Sequence, residues 1–308
     1  MILEVKNFSK QYQGQMVKAV DDISFSINEG EIVGFIGPNG AGKSTTIKAI
    51  VGINSIDSGK IYVDGLDLSK YTIDAKQKMG YVPDEALPFD TITGRELINF
   101  VASMYEVPKE LRDERLTHLA SLFEMTPVLD KLIKSYSHGM KQKIAVIAAL
   151  IHNPKLWILD EPLTGLDPNS SYNLKQLMHE HCKSGNGVFF SSHVLEVVEK
   201  LCDRIILINK AKIILNCTME ELKEKQKDLS LEEFFIKVTK EHNEFLESQK
   251  GNNLGKVANE NDDAVTNESS INESEKVKES SINESEKANE SLINDDVNSN
   301  GDVDESIE

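Results

Sequence analysis

The sequence predicts an α/β fold: a core built on a parallel sheet, an N-terminal antiparallel β subdomain, a helical insert and a disordered C-terminal tail. Three observations carry that reading. Short apolar runs at 156–159, 188–190, 205–208 and 213–215 read as buried parallel strands, with a helical pattern between the first two. From about 93 to 152 apolar residues instead recur at helical spacing, as at Leu97, Phe100, Val101 and Met104, with Pro108 and Pro127 marking breaks. Beyond about residue 240 the composition shifts to Asn, Glu, Ser, Asp and Lys, too poor in large apolar side chains to bury a core.

The opening is β-rich. Ile2, Val5 and Phe8 alternate with polar residues; Ile23, Phe25 and Ile27 do the same; and 32–36 is an apolar run, the strands being broken by Gly14 and by Asn28-Glu29-Gly30. At 39% apolar content, 308 residues can fill a core over most of the chain, so we expect one domain over 1–240 and a low-complexity tail over 241–308. In that tail an eight-residue block at 269–276 recurs at 280–287. An eleven-residue period can wind a right-handed helical supercoil, but Ile271, Ile282 and Ile293 are too sparse to make a seam.

Charge separates the two regions. Residues 241–308 hold 19 acidic and 5 basic side chains, against 32 and 29 in 1–240, so most of the net charge of −17 sits in the tail. A near-neutral domain lacks the basic footprint that neutralises nucleic-acid phosphates, and no nucleic-acid partner is expected. Cys182, Cys202 and Cys217 form no C-x-x-C pair and are odd in number, which predicts neither a disulfide framework nor a zinc site and fits a reducing compartment. The first ten residues do not read as a signal peptide, and the longest nearly continuous apolar stretch, 144–151, falls far short of a membrane span. Membrane contact is therefore expected only through a partner.

One motif carries the chemistry. Gly37-Pro38-Asn39-Gly40-Ala41-Gly42-Lys43-Ser44 matches G-x-x-x-x-G-K-[ST], follows the apolar run 32–36 and precedes a helix-like segment opening at Thr45. In that setting glycines turn backbone N–H groups toward phosphate oxygens, Lys43 pairs with the β and γ phosphates, and Ser44 offers its hydroxyl to Mg²⁺. The reading is a P-loop ATPase core that takes ATP and Mg²⁺. Asp160 and Glu161 end the apolar run 156–159, where ligands gather in open α/β sheets. Asp160 is assigned to the metal, directly or through water, and Glu161 to the water that attacks the γ-phosphate.

Around these motifs residues 1–235 resemble the ATP-binding subunit of ABC transporters. The resemblance places Tyr12 against adenine. It places Tyr136-Ser137-His138-Gly139-Met140 at the family's L-S-G-G-Q signature, so that Ser137 and the Gly139 backbone grip the γ-phosphate of ATP held by a second subunit. Asp167, in Leu163-Thr164-Gly165-Leu166-Asp167, would meet its partner across that dimer, and His193 matches the switch histidine at the γ-phosphate. Two positions depart from the pattern. His138 and Met140 stand where Gly and Gln are usual, and Asp84 replaces the glutamine that senses Mg²⁺ and water; a carboxylate can approach the metal but donates no hydrogen bond unless protonated.

The resemblance implies an ATPase subunit on the cytoplasmic face of a membrane. It would pair with a second ATP-binding subunit, identical or not, and with a separate transmembrane permease docking near 84–93. The altered signature and the ending at 231–238 are similar to those of bacterial exporters of drugs, peptides or lipids. A non-transport ABC-type ATPase and a regulatory ATP-binding module stay open as alternatives. The pair His179 and His181 is expected at the surface with the rings on different faces of a helix, and the cysteines are expected to be structural.

Overall fold

The computed structural model describes residues 1–84, 89–226 and 229–262, so Glu85, part of the expected permease contact and both tail repeats lie outside the described residues. The chain divides into a unit over Met1–Glu244 and a second over Phe245–Glu308. In chain order the first unit runs β1 (Leu3–Lys10), β2 (Val20–Ile27), β3 (Ile32–Ile36), α1 (Lys43–Ile50), β4 (Ser58–Val63), β5 (Leu66–Asp67), α2 (Thr72–Gln77) and β6 (Met79–Val82). It continues with α3 (Gly94–Met104), α4 (Lys109–Leu122), α5 (His138–Leu150), β7 (Leu156–Asp160), α6 (Pro168–Lys183), β8 (Gly187–Ser192) and α7 (Leu195–Leu201). Then come β9 (Arg204–Asn209), β10 (Lys212–Thr218), α8 (Met219–Gln226) and α9 (Leu231–Asp262), the last of which crosses into the second unit.

Two sheets organise these elements. The strands of the N-terminal sheet, in the order β2-β1-β4-β5, are all antiparallel, as the alternating pattern of the opening requires. The second sheet has the order β10-β9-β3-β8-β7-β6, parallel from β9 to β6. Its central strands β3, β7 and β8 are buried along their whole length. Continuous apolar runs are what a strand covered on both faces needs, and each fully buried Ile, Leu or Phe contributes about 1.5–3 kcal/mol. The crossovers leave the C-terminal ends of β3, β7 and β8 side by side at one edge.

One strand expectation is corrected. The run 213–215 belongs to β10, which pairs antiparallel with β9 at the sheet edge and is only partly buried. Lys210 and Ala211 both take left-handed backbone, φ 44° and 69°, and make the tight primed turn that folds a strand back on its neighbour.

The helical segment opens with a reciprocal cap. Thr93 Oγ1 accepts the Glu96 N–H at 3.1 Å, while Glu96 Oε2 accepts the Thr93 N–H at 2.8 Å. The apolar stretch 144–151 is buried, most of it within α5, which packs against α3, α4 and β6. At the other end, α9 continues well past residue 240, so 241–262, expected to be disordered, is helical. Leu231 and Phe234 are buried and Phe235 and Val238 pack against the core. That helical-period stripe nucleates a helix that propagates into the polar sequence behind it.

Candidate functional site

The cleft forms where β3 hands over to α1. After Ile36 the chain passes through Gly40 and Gly42, whose φ values of 76° and 115° lie in the left-handed region, and Gly42 caps α1. The helix starts at Lys43, so the lysine sits in its first turn and the loop's N–H groups gather at the helix's positive end. Asn39, Gly40, Gly42, Lys43, Ser44 and Thr45 line a cavity of about 220 Å³ with Ala19, Asp84 and Glu161.

Lys43 is 7% exposed, and its Nζ donates to the Gly37 carbonyl at 2.7 Å and to Pro38 O at 3.4 Å. Burial pulls its pKa down, against the opposing pull of Glu161 and Asp160. A buried ammonium satisfied only by backbone carbonyls and two nearby carboxylates is poised to take up an anion.

The acidic pair follows from β7. Asp160, 1% exposed, ends the strand; its Oδ1 accepts the Ser191 hydroxyl at 2.5 Å. Ser191 Oγ in turn accepts the Glu161 N–H at 3.0 Å. Glu161 itself has φ 49°, a left-handed conformation that costs a non-glycine residue about 1–2 kcal/mol. The twist turns its carboxylate from the strand line toward the cleft and onto His193, whose Nδ1 lies 2.8 Å from Glu161 Oε2. The His193 N–H reaches the same oxygen at 3.3 Å.

Sequence reasoning missed Ser191, which lies one strand away from the acidic pair on β8 and carries no local motif. Its register is the available signal, since Asp160 pairs with Ser191 across the parallel strands. Ala19 in the cleft wall was also missed.

Tyr12 follows β1 and is 37% exposed. Its hydroxyl lies 3.3 Å from Thr45 Oγ1 and accepts from Asn54 Nδ2 at 2.9 Å, while the Lys10 ammonium stands 5.8 Å from the ring centre. The ring is thus tethered at its tip beside the phosphate loop.

Ser137, Gly139 and Asp167 do not line the cleft. The helix α5 begins at His138, within the signature segment, where Ser137 caps it by accepting the Met140 N–H at 3.3 Å. Ser137 and His138 are exposed. Asp167 is half exposed and also makes contacts within its own chain. It caps α6 through Ser170 N at 2.9 Å and pairs with Lys143 Nζ at 2.8 Å. The Lys143 ammonium, with the Ser170 bonds, holds its carboxyl well below the usual carboxylate range.

The histidine pair departs from expectation. His179 is half-buried and His181 is buried, because the last turn of α6 presses His181 edge-on against Trp157. Among the described residues no cluster of three or more His, Cys, Asp or Glu could hold a metal. The three cysteines are free and buried, and burial raises the Cys182 thiol to about 12.

The donor set suits magnesium bound together with a phosphate chain. One hydroxyl, Ser44, and one carboxylate, Asp160, flank a loop that supplies N–H donors, and magnesium characteristically uses few protein ligands and completes its shell with water and phosphate oxygens.

Comparison with known proteins places these features. A family profile described as ABC transporter matches residues 20–164. The chain is 38% identical over 221 residues to the linearmycin resistance ATP-binding protein LnrL of Bacillus subtilis, covering 72% of this chain and 70% of that protein. It is 32% identical over 238 residues to the ABC transporter ATP-binding protein NatA of the same organism, covering 76% and 97%. A solved structure of an ATP-binding subunit of an ABC transporter superposes with a TM-score of 0.74 at 31% identity, over 78% of this chain and all of that one.

Proposed function

The chain belongs to the ATP-binding subunits of ABC transporters and is an ATPase, and from that premise we propose that it drives an exporter through a cleft built by Lys43, Ser44, Asp160, Glu161 and His193. The observation that carries the residue assignment is the Glu161–His193 contact of 2.8 Å at the mouth of the phosphate loop. A carboxylate held by an imidazole beside a phosphate site is placed to orient a water and take its proton.

In this reading the loop N–H groups and Lys43 hold the β and γ phosphates of ATP, and Tyr12 stacks on the base. Magnesium, when bound, neutralises charge on the phosphate oxygens; Ser44 and Asp160 would hold it, with Asp84 at the same cleft. Ser191 keeps one Asp160 oxygen occupied and so fixes the direction of the other. Glu161 accepts the proton of the attacking water, and His193 contacts the γ-phosphate as the site closes.

The site is completed by a second ATP-binding subunit, identical or homologous, which offers Ser137 and the Gly139 backbone to the γ-phosphate. The exposure of Ser137 at the start of α5, away from its own cleft, supports that arrangement. Among the described residues no helix is long and apolar enough to cross a membrane, so the substrate path belongs to a separate permease. Phe100 and Met104, one helical turn apart on α3 and both exposed, offer an apolar face to it. The subunit then sits peripherally on the cytoplasmic face. Export is favoured by the His138 and Met140 signature and by the resistance function in the name of the 38% identical relative.

The test is Glu161→Gln, read by steady-state ATPase activity and by size-exclusion chromatography with and without Mg-ATP. Turnover should fall at least about 100-fold while Mg-ATP drives a stable dimer. An ATP-bound monomer in both forms would overturn the shared site and leave a binding module.

A further inference from the structure

The C-terminal helix reaches the nucleotide cleft through one buried amide. The core-facing stripe of α9, the buried Leu231 and Phe234 and the half-buried Val238, leads at helical spacing to His242. There the stripe turns polar. Asn209, 3% exposed at the end of β9, donates through Nδ2 to His242 Nδ1 at 3.0 Å and to Asn243 Oδ1 at 3.0 Å. Both amide protons of one side chain are thus spent on two adjacent residues of α9.

Asn209 opens the left-handed turn at Lys210 and Ala211, and that turn is bonded to both walls of the cleft. The Ala211 N–H donates to the Ala41 carbonyl at 3.0 Å, in the middle of the phosphate loop. The Ala211 carbonyl accepts the Asp21 N–H at 2.8 Å, two residues after the cleft-lining Ala19. Lys212 adds an ion pair to Asp21 at 2.7 Å. The preceding Ile208 backs the loop so closely that a Cβ on Gly37 would stand 2.2 Å from the Ile208 carbonyl. Displacing the turn therefore displaces the loop.

We propose that His242 and Asn243 are positioning residues for ATP: by holding Asn209 they fix the 209–211 turn and, through Ala211, the phosphate loop in its binding geometry. The inference rests on reading Gly37–Thr45 as the phosphate site. It gives the helix behind the last strand a part in nucleotide affinity, separate from any role of the acidic tail that follows.

The experiment uses the full-length chain and measures the Kd of a fluorescent ATP analogue together with KM and kcat of hydrolysis. His242→Ala with Asn243→Ala should raise Kd and KM roughly three- to tenfold, the worth of one or two hydrogen bonds, with kcat within about twofold. Asn243→Asp in an otherwise wild-type chain keeps an acceptor oxygen and should stay near wild type, as should Glu241→Ala on the exposed face. Wild-type Kd and KM in the double variant, or an equal rise of Kd and KM in the Glu241→Ala control, would overturn the proposal. If the double variant does not fold, Asn243→Ala alone reads the same quantity with a smaller expected rise. Lys43→Ala tests the site itself: undiminished ATP binding there would sink the phosphate-loop reading and the α9 proposal with it, whereas lost binding there beside a wild-type double variant would overturn the α9 proposal alone.

Discussion

The Ser191 hydroxyl lies 2.5 Å from Asp160 Oδ1 and donates to it, joining the ends of two neighbouring parallel strands. Ser191 Oγ also accepts the N–H of Glu161, whose backbone is held at φ 49°. One hydroxyl therefore settles two things at once. It occupies one Asp160 oxygen, and it helps hold the strained turn that swings Glu161 onto His193. Strain of this kind persists only where surrounding bonds over-determine it.

Removing that hydroxyl should be felt in turnover more than in binding. Ser191→Ala leaves a buried carboxylate oxygen and a backbone N–H without their partner, a loss of about 1–3 kcal/mol. We expect kcat to fall on the order of tenfold and the melting temperature to drop by several degrees, while ATP affinity stays near wild type. Steady-state kinetics with a thermal melt reads both, and a variant with unchanged kcat would show that Asp160 and Glu161 hold their geometry unaided.

His193 is 61% exposed at its side chain and touches Glu161 from the solvent side, so its removal leaves the core intact. His193→Ala should lower kcat by about 100-fold with KM for ATP within about twofold, as for loss of a group acting only as the γ-phosphate reacts. A rise in KM with kcat preserved would instead make His193 a ground-state binding residue.

The fold and the loop were legible because their signals are local. An apolar run, a fixed glycine spacing and an acidic strand end each lie within about ten consecutive residues, and β3, α1 and β7 form where those patterns stand. Ser191 was illegible because its partner is set by strand register, not by spacing along the chain. The direction of β10 turned on Lys210 and Ala211, two residues that take left-handed backbone without being glycine or asparagine. His181 looked like a surface residue because polar side chains surround it in sequence, yet tertiary packing buried it beside Trp157. The Asp167–Lys143 ion pair was hidden in the same way, because Lys143 sits on a helix more than twenty residues earlier in the chain.

Acid should destabilise the domain through two buried imidazoles. His152 stacks on Tyr105 with ring centres 3.7 Å apart and its Nε2 3.0 Å from the Met79 carbonyl, and among the described residues neither its Nδ1 nor His181 Nε2 has a hydrogen-bond partner. Burial pushes each pKa down to about 4, with Arg115 opposing charge on His152, and His152 and Lys155 opposing it on His181. The folded values lie below the unfolded value near 6.5, so between the two the unfolded chain binds more protons and stability rises with pH. The stabilising difference is fully present above about pH 6.5 and is lost toward pH 4, worth roughly 3 kcal/mol for one ring. Urea midpoints at pH 7 and pH 5 should differ accordingly, and His181→Phe should flatten the slope; an unaltered slope would show that these rings do not govern it.

The last expectation concerns the turn that opens α5. Gly139 lies so close to the loop before α6 that a Cβ on it would stand 2.7 Å from the Gly165 carbonyl, while the His138 ring packs over Gly165 itself. Backbone stands against backbone there, so no side-chain rotation relieves the clash. Gly139→Ala should therefore shift the signature turn away from the 163–167 loop at a cost of about 1–3 kcal/mol. Because neither residue lines the subunit's own cleft, ATP binding to the isolated chain should remain near wild type while Mg-ATP-dependent dimerisation and turnover fall together. Intact dimerisation with normal turnover would mean that the turn tolerates displacement and that its geometry is not what a second subunit reads.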